Sequence, residues 1–183
     1  MRFVRVVQGY DHLWAVFDEK KGADELTALF RKWSDANYLL DFFIENLRDL
    51  KSFFQIEKVS DAISDTMEDA QDLERLILEF PYTERLDDLF HPLSFGDDRA
   101  RELTREKARN WDRKRHPSWL RIYAVRIEPN VYIVTGGAIK LTAKMQDKQH
   151  TMAELEKLNK CRDYLRQNGV FDRDSFVDFF EEG

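Results

Sequence analysis

The stretch Trp119–Lys144, WLRIYAVRIEPNVYIVTGGAIKLTAK, decides how this chain folds. Ile122, Tyr123, Val125 and Ile127 form one β-rich run, and Val131, Tyr132, Ile133, Val134 and Thr135 form a second. β-Branched and aromatic side chains in such runs suit a pleated, packed surface. Glu128-Pro129-Asn130 separates them, with a proline that presets φ and an asparagine that tolerates positive φ. The economical reading is a hairpin. Strand alternation sends Arg121, Tyr123 and Val125 to one face and Leu120, Ile122 and Ala124 to the other. Gly136-Gly137 is too bare for a phosphate loop, and a bulge or a close backbone approach accounts for it equally well.

Working outward, most of the remaining chain has helical spacing. Leu26, Phe30 and Trp33 begin an apolar stripe that Leu40, Phe43, Leu47, Leu50 and Phe54 continue, with Ser34-Asp35 placed to cap a second helix. Another helix is expected from Ser60 to Phe80, ended by Pro81, with Ile63, Met67, Ala70, Leu73 and Ile77 inside. Asp61, Asp65, Glu68, Asp69 and Asp72 read as its solvated side. Residues 82–98 read as a connector with one helical turn, Leu86–Phe90, and the basic run Arg99–Arg115 as beginning in a helix, with a loop around Arg113-Lys114-Arg115-His116 leading into the hairpin. Past the hairpin, Thr151 and Glu154 have capping-box spacing, and Gly169 closes the helix they open. Toward the N-terminus, residues 2–7 and 13–17 are short apolar runs, the second better suited to join the central sheet. The expected fold is α+β: a small antiparallel sheet centred on the 119–141 hairpin and packed against several helices. One domain is expected over 1–183, with a helical part at about 23–110 and the hairpin and C-terminal helices at about 111–183.

Composition narrows the classes. At 183 residues, 43% hydrophobic and with 14 phenylalanines, the chain can bury one sizeable core. Cys161 is the single cysteine and cannot form an internal disulfide, so a reducing compartment, the cytoplasm, is the expectation. No apolar run approaches the ~20 residues that span a bilayer, so no membrane role is expected. The net charge of −6 hides an asymmetry. Residues 99–150 hold 13 Lys and Arg against five Asp and Glu, a balance of +8; the other 131 residues hold 16 against 30, a balance of −14. A basic segment on an acidic body concentrates potential where an anion can dock, although a solvated face has the same composition.

The four histidines, His12, His91, His116 and His150, are scattered and Cys161 has no partner, so neither a metal site nor a cofactor is expected. There is no GxxxxGK[ST], GxGxxG or GxSxG pattern. What remains is Arg, Lys, His and Tyr chemistry on a small sheet. RNA transesterification needs a base for the 2′-OH, an acid for the leaving oxygen and cations for the phosphorane. Arg121, Tyr123, Lys140 and His150, with Lys144 four residues beyond Lys140, form the candidate catalytic set. Arg113, Lys114, Arg115, His116 and Arg126 form the candidate RNA-binding set. Structural ion pairing and solvation are the competing readings for both.

The segment LRIYAVRIEPNVYIVTGGAIKLTAKM, followed by the helical MAELEKLNKCRDYL, resembles the RelE/HigB superfamily of toxin–antitoxin toxins. Arg121 matches the strand arginine of that family, Lys140 and Lys144 its lysines, and Arg162, Asp163 and Tyr164 its helix end. The resemblance covers residues 113–165, and the helical half in element order. It implies a RelE/ParE-like fold, a ribosome-associated mRNA endonuclease and neutralisation by a small helix-turn-helix antitoxin. Gly136-Gly137-Ala138-Ile139 departs from the bulkier, more basic run of the family, and the chain is longer. The alternative is a non-catalytic interaction module whose acidic helical half binds a basic partner. A metal-independent nuclease acting away from the ribosome is a third reading.

Overall fold

The computed structural model describes residues 1–83, 85–93, 103–113 and 115–182, with backbone alone at 80–83, 146, 181 and 182. Its hairpin is strand β6 (Leu120–Glu128) and strand β7 (Val131–Ile139), and Asn130 takes φ 66° in the turn. These are the two middle strands of a sheet ordered β1-β2-β7-β6-β5-β4. The others are β1 (Arg2–Arg5), β2 (Leu13–Asp18), β4 (Phe90–Pro92) and β5 (Thr104–Ala108), while β3 (Ala23–Asp24) pairs with β2 off this path. The fold is α+β. Both N-terminal apolar runs are strands, and β2 joins the hairpin directly through a parallel pairing, Leu13 against Tyr132; the other recorded pairings are antiparallel.

Helices cover both faces because both faces of the hairpin are apolar. On one side Leu120, Ile122, Ala124, Tyr132 and Val134 pack against α1 (Glu25–Trp33), α2 (Ala36–Glu45), α3 (Leu47–Phe54), α4 (Val59–Thr83) and the short α5 (Leu86–Leu89). On the other Tyr123, Val125, Ile127, Val131 and Ile133 meet α6 (Gln149–Gln167) and α7 (Arg173–Glu182). Each fully buried Leu, Ile, Val or Phe here contributes about 1.5–3 kcal/mol. Between Tyr123 and Ala124 the register slips, so Thr135 is the extra residue of a bulge. The slip reverses the parity of β7: Ala138 joins the second core and Ile139 the first. Gly136 takes φ +149° here, and a Cβ on it would collide with the Glu154 carboxylate and the Lys157 ammonium. A Cβ on Gly137 would press on the Arg121 carbonyl and the Leu29 side chain. Bulge and close approach both hold.

Local signals placed several boundaries. Asp35 caps α2 by accepting from the Asn37 and Tyr38 amides, which splits the long helical run as expected. Gly169 follows α6 with φ +75°. Three expectations are corrected. Residues 104–108, TREKA, form β5 rather than a helix, with Thr104, Glu106 and Ala108 turned inward; the rest of that basic run up to residue 102 lies outside the described residues. Helix α4 continues through Pro81 to Thr83, since a proline in the last turn forfeits a single amide donor. Helix α6 begins at Gln149, and Thr151 makes no capping box because its hydroxyl donates to the Met145 and Lys148 carbonyls.

A candidate anion-binding pocket on the sheet

Antiparallel pairing of β5 with β6 sets Lys107 opposite Tyr123 and Arg105 opposite Val125. Side chains two apart share a face, so Arg105 and Lys107 stand beside Arg121 and Tyr123, and Arg109 follows at the end of β5. Helix α6 borders this end of the sheet through Leu155. A cavity of about 460 Å³ opens there, lined by Arg105, Lys107, Arg109, Arg121, Lys140 and Lys144 together with Tyr123 and Trp111. That volume lies within the roughly 300–1,000 Å³ of small-ligand pockets. Among the described residues no Asp or Glu lines it.

The recorded partners of Arg121, Lys140 and Arg109 among the described residues are neutral. Arg121 Nη1 donates to the Ser118 carbonyl at 2.5 Å and the Leu120 carbonyl at 2.7 Å. Lys140 Nζ donates to the carbonyls of Thr142 at 2.9 Å and Ala143 at 2.5 Å. The Arg109 guanidinium lies over the Trp111 ring at 4.1 Å, and its buried Nε has no hydrogen-bond partner among the described residues. Arg105 reaches Asn159 Oδ1 on α6, and Lys107 reaches the Leu93 carbonyl. Carbonyl dipoles orient a cation without cancelling its charge.

The protonation equilibria register the crowding. Burial, then the charge of Arg109, brings the Arg121 guanidinium down to about 10. Burial, then Arg121 and Lys107, holds the Lys140 ammonium below its ordinary value, against a smaller pull from Asp147. Burial pushes the Tyr123 phenol above its usual range although Arg121 acts the other way. Tyr123 is therefore a protonated donor at neutral pH. Its hydroxyl is buried and has no hydrogen-bond partner among the described residues, and such a buried donor carries a desolvation cost until something accepts from it.

The candidate residues thus divide. Arg121, Tyr123, Lys140 and Lys144 converge in one cavity. His150 does not join them: its Nε2 lies 2.9 Å from the Ile139 carbonyl and its ring meets Phe42 edge-on at 5.3 Å. Of the candidate RNA-binding residues, Arg113 is buried against Asp65 at 3.5 Å and Asp69 at 3.6 Å. Arg126 is held by Asp87, which also accepts from Tyr132 Oη at 2.6 Å and the Asn130 amide at 3.0 Å. Arg115 pairs with Asp65 at 3.0 Å while staying exposed, and His116 stacks on Trp119 with its Nε2 3.2 Å from Asp65. Lys114 lies outside the described residues. Arg162 and Asp163 face each other on α6, and Tyr164 packs on Phe3 and Phe179, so that matched triplet contributes no lining to the cavity.

The acidic side of α4 is accordingly not all solvated. Asp65 and Asp69 are buried beneath the 113–118 connector, and Asp69 accepts from Ser118 Oγ at 2.5 Å. Sequence reasoning missed Arg105, Lys107, Arg109 and Trp111. The signal was present as cations at alternate positions, 105, 107 and 109, a strand period inside residues that otherwise favour helix. Among the described residues no His, Cys, Asp and Glu group is placed to hold a metal, and no helix is long and apolar enough to cross a membrane. No protein family, curated protein or solved structure matches the chain.

Proposed function

We propose that this protein binds RNA through its phosphates in the pocket between β5, β6 and the segment 140–145. One observation carries the reading: Arg109, Arg121, Lys140 and Lys144 face a common cavity and make no ion pair within the described protein. Gathering like charges without counter-charges costs free energy, and an anionic ligand recovers it. Phosphodiester oxygens match the arginine and lysine donors.

The resemblance to RelE/HigB toxins adds a chemical step to this binding reading: ribosome-dependent cleavage of mRNA, with an antitoxin as neutralising partner. Tyr123, kept protonated by burial, would serve as the donor to the leaving oxygen. Lys140, whose ammonium is held by the Thr142 and Ala143 carbonyls, would face the phosphate as a cation, and the proton of the 2′-OH would pass to water. Arg121 and Arg109 would balance the charge of the phosphorane. His150 has no part in this arrangement. Binding is tested by titrating a fluorescent single-stranded oligoribonucleotide with wild type and Lys144→Glu. Saturable binding weakened at least about tenfold by the substitution is expected, and equal binding by both proteins rejects the pocket. Cleavage is tested separately by expressing the chain and mapping mRNA ends. Folded protein with neither growth arrest nor new ends rejects the nuclease step and leaves the binding reading standing.

A further inference from the structure

A second cavity, of about 430 Å³, adjoins the first and shares Arg121, Lys140 and Ala143 with it. Its character differs. Phe53 and Phe54 at the end of α3, Pro117 and Leu141 form its walls, with Arg115 and His116 at one side. Phe53 is 57% exposed, an aromatic ring left to solvent within reach of a cationic divide. Gln55, in the left-handed conformation at φ 57°, ends α3 directly after Phe54.

We infer that the two cavities form one track for single-stranded RNA, in which the backbone crosses the Arg121–Lys140 divide and a base lies against Phe53. The inference rests on the RNA-binding reading and extends it from a single phosphate site to a strand spanning both cavities. Two features support it. The shared divide is cationic, and its two side chains are held in place by carbonyls. The exposed ring of Phe53 lies in the second cavity, beside that divide. Alternating charge and aromatic faces is how proteins hold unpaired strands, because each base has a face to stack whatever its identity. A duplex, whose bases are already stacked, could not use Phe53 in this way.

The test compares uridine 3′-monophosphate, an eight-nucleotide oligouridylate and a blunt RNA duplex by fluorescence and calorimetric titration, using wild type, Phe53→Ala and Phe53→Trp. Phe53→Ala is expected to weaken the oligouridylate by roughly 5- to 150-fold, the worth of one stacked base. It should leave the mononucleotide within about twofold, and Phe53→Trp should restore the loss. Retained tight oligouridylate binding in Phe53→Ala, or duplex binding as tight as single-strand binding, overturns the two-cavity track while the phosphate pocket stands. Absence of any RNA binding by folded wild type overturns the pocket reading and the track together. Because Phe53 is mostly exposed, its replacement leaves the core intact, and circular dichroism of each variant verifies this.

Discussion

Two basic regions of this molecule lie within a few residues of each other in sequence and have opposite electrostatic circumstances. Arg113 and Arg126 place their cations on carboxylates: Arg113 on buried Asp65 and Asp69, Arg126 on half-buried Asp87. The pocket on β5, β6 and 140–145 places Arg109, Arg121, Lys140 and Lys144 around one cavity with no carboxylate among its described lining residues. Composition treats both as part of one +8 segment. Their partners make one an internal clamp and the other a candidate ligand site. A run of positive charge therefore points to an anion only after the protein's own anions have been accounted for.

The comparison breaks most visibly at Asp87. This carboxylate holds Arg126, the Tyr132 hydroxyl and the turn amide of Asn130, so Asp87→Ala leaves a buried guanidinium without its counter-charge. A loss of about 3–5 kcal/mol in urea unfolding is expected. A loss below about 1 kcal/mol would mean that the clamp is not a clamp.

Acid pH probes the same hub. Burial alone would raise the Asp87 carboxyl, but the hydrogen bonds from Arg126, Tyr132 and Asn130 bring it from 3.8 down to about 2. A folded-state value below the unfolded one means that the unfolded chain binds more protons between the two. Its stabilising contribution is therefore complete above about pH 5 and fades as pH falls through about 2. The stability gap between wild type and Asp87→Asn should narrow over that window, and a gap constant from pH 6 to pH 2 would remove Asp87 from this role.

The pocket should answer the other way. Lys140→Gln relieves repulsion from Arg121 and Lys107 while losing two carbonyl contacts, so thermal unfolding should stay within about 1 kcal/mol of wild type or shift upward. RNA affinity should meanwhile fall by about tenfold. A large stability loss with unchanged affinity would make Lys140 structural. The smallest effect is expected at Arg115, whose exposed pair with Asp65 should cost no more than about 0.5 kcal/mol on Arg115→Ala, measured by the same denaturant curves.

Patterns carried by neighbouring residues are legible in the sequence alone. The hairpin, the shared face of Arg121 and Tyr123, the Asp35 cap and the Gly136-Gly137 irregularity follow from alternation, capping chemistry and the missing Cβ. What escaped depends on distant partners. TREKA is made mostly of good helix formers, and it becomes a strand because β6 offers an edge and buried Glu106 finds the Tyr132 hydroxyl at 3.1 Å. Asp65 and Asp69 looked solvated because nothing in their own helix shows that a basic connector will cover them. His150 was grouped with Lys140 by proximity in sequence, whereas helix α6, starting at Gln149, turns its ring to Phe42 on the opposite face of the sheet. Half of the pocket was accordingly visible, the β6 and 140–144 side, and the β5 side was hidden with its strand.

The central claim is that the uncompensated cations contact RNA phosphates, and the salt dependence of binding tests it most directly. Oligouridylate affinity would be measured from low to moderate salt for wild type and for Lys140→Gln/Lys144→Gln. Each lost phosphate contact on a single strand should reduce the slope of log Kobs against log salt by about 0.7. The double variant should therefore bind more weakly, with a slope shallower by about 1.4. Equal slopes and equal affinities for the two proteins would contradict the account.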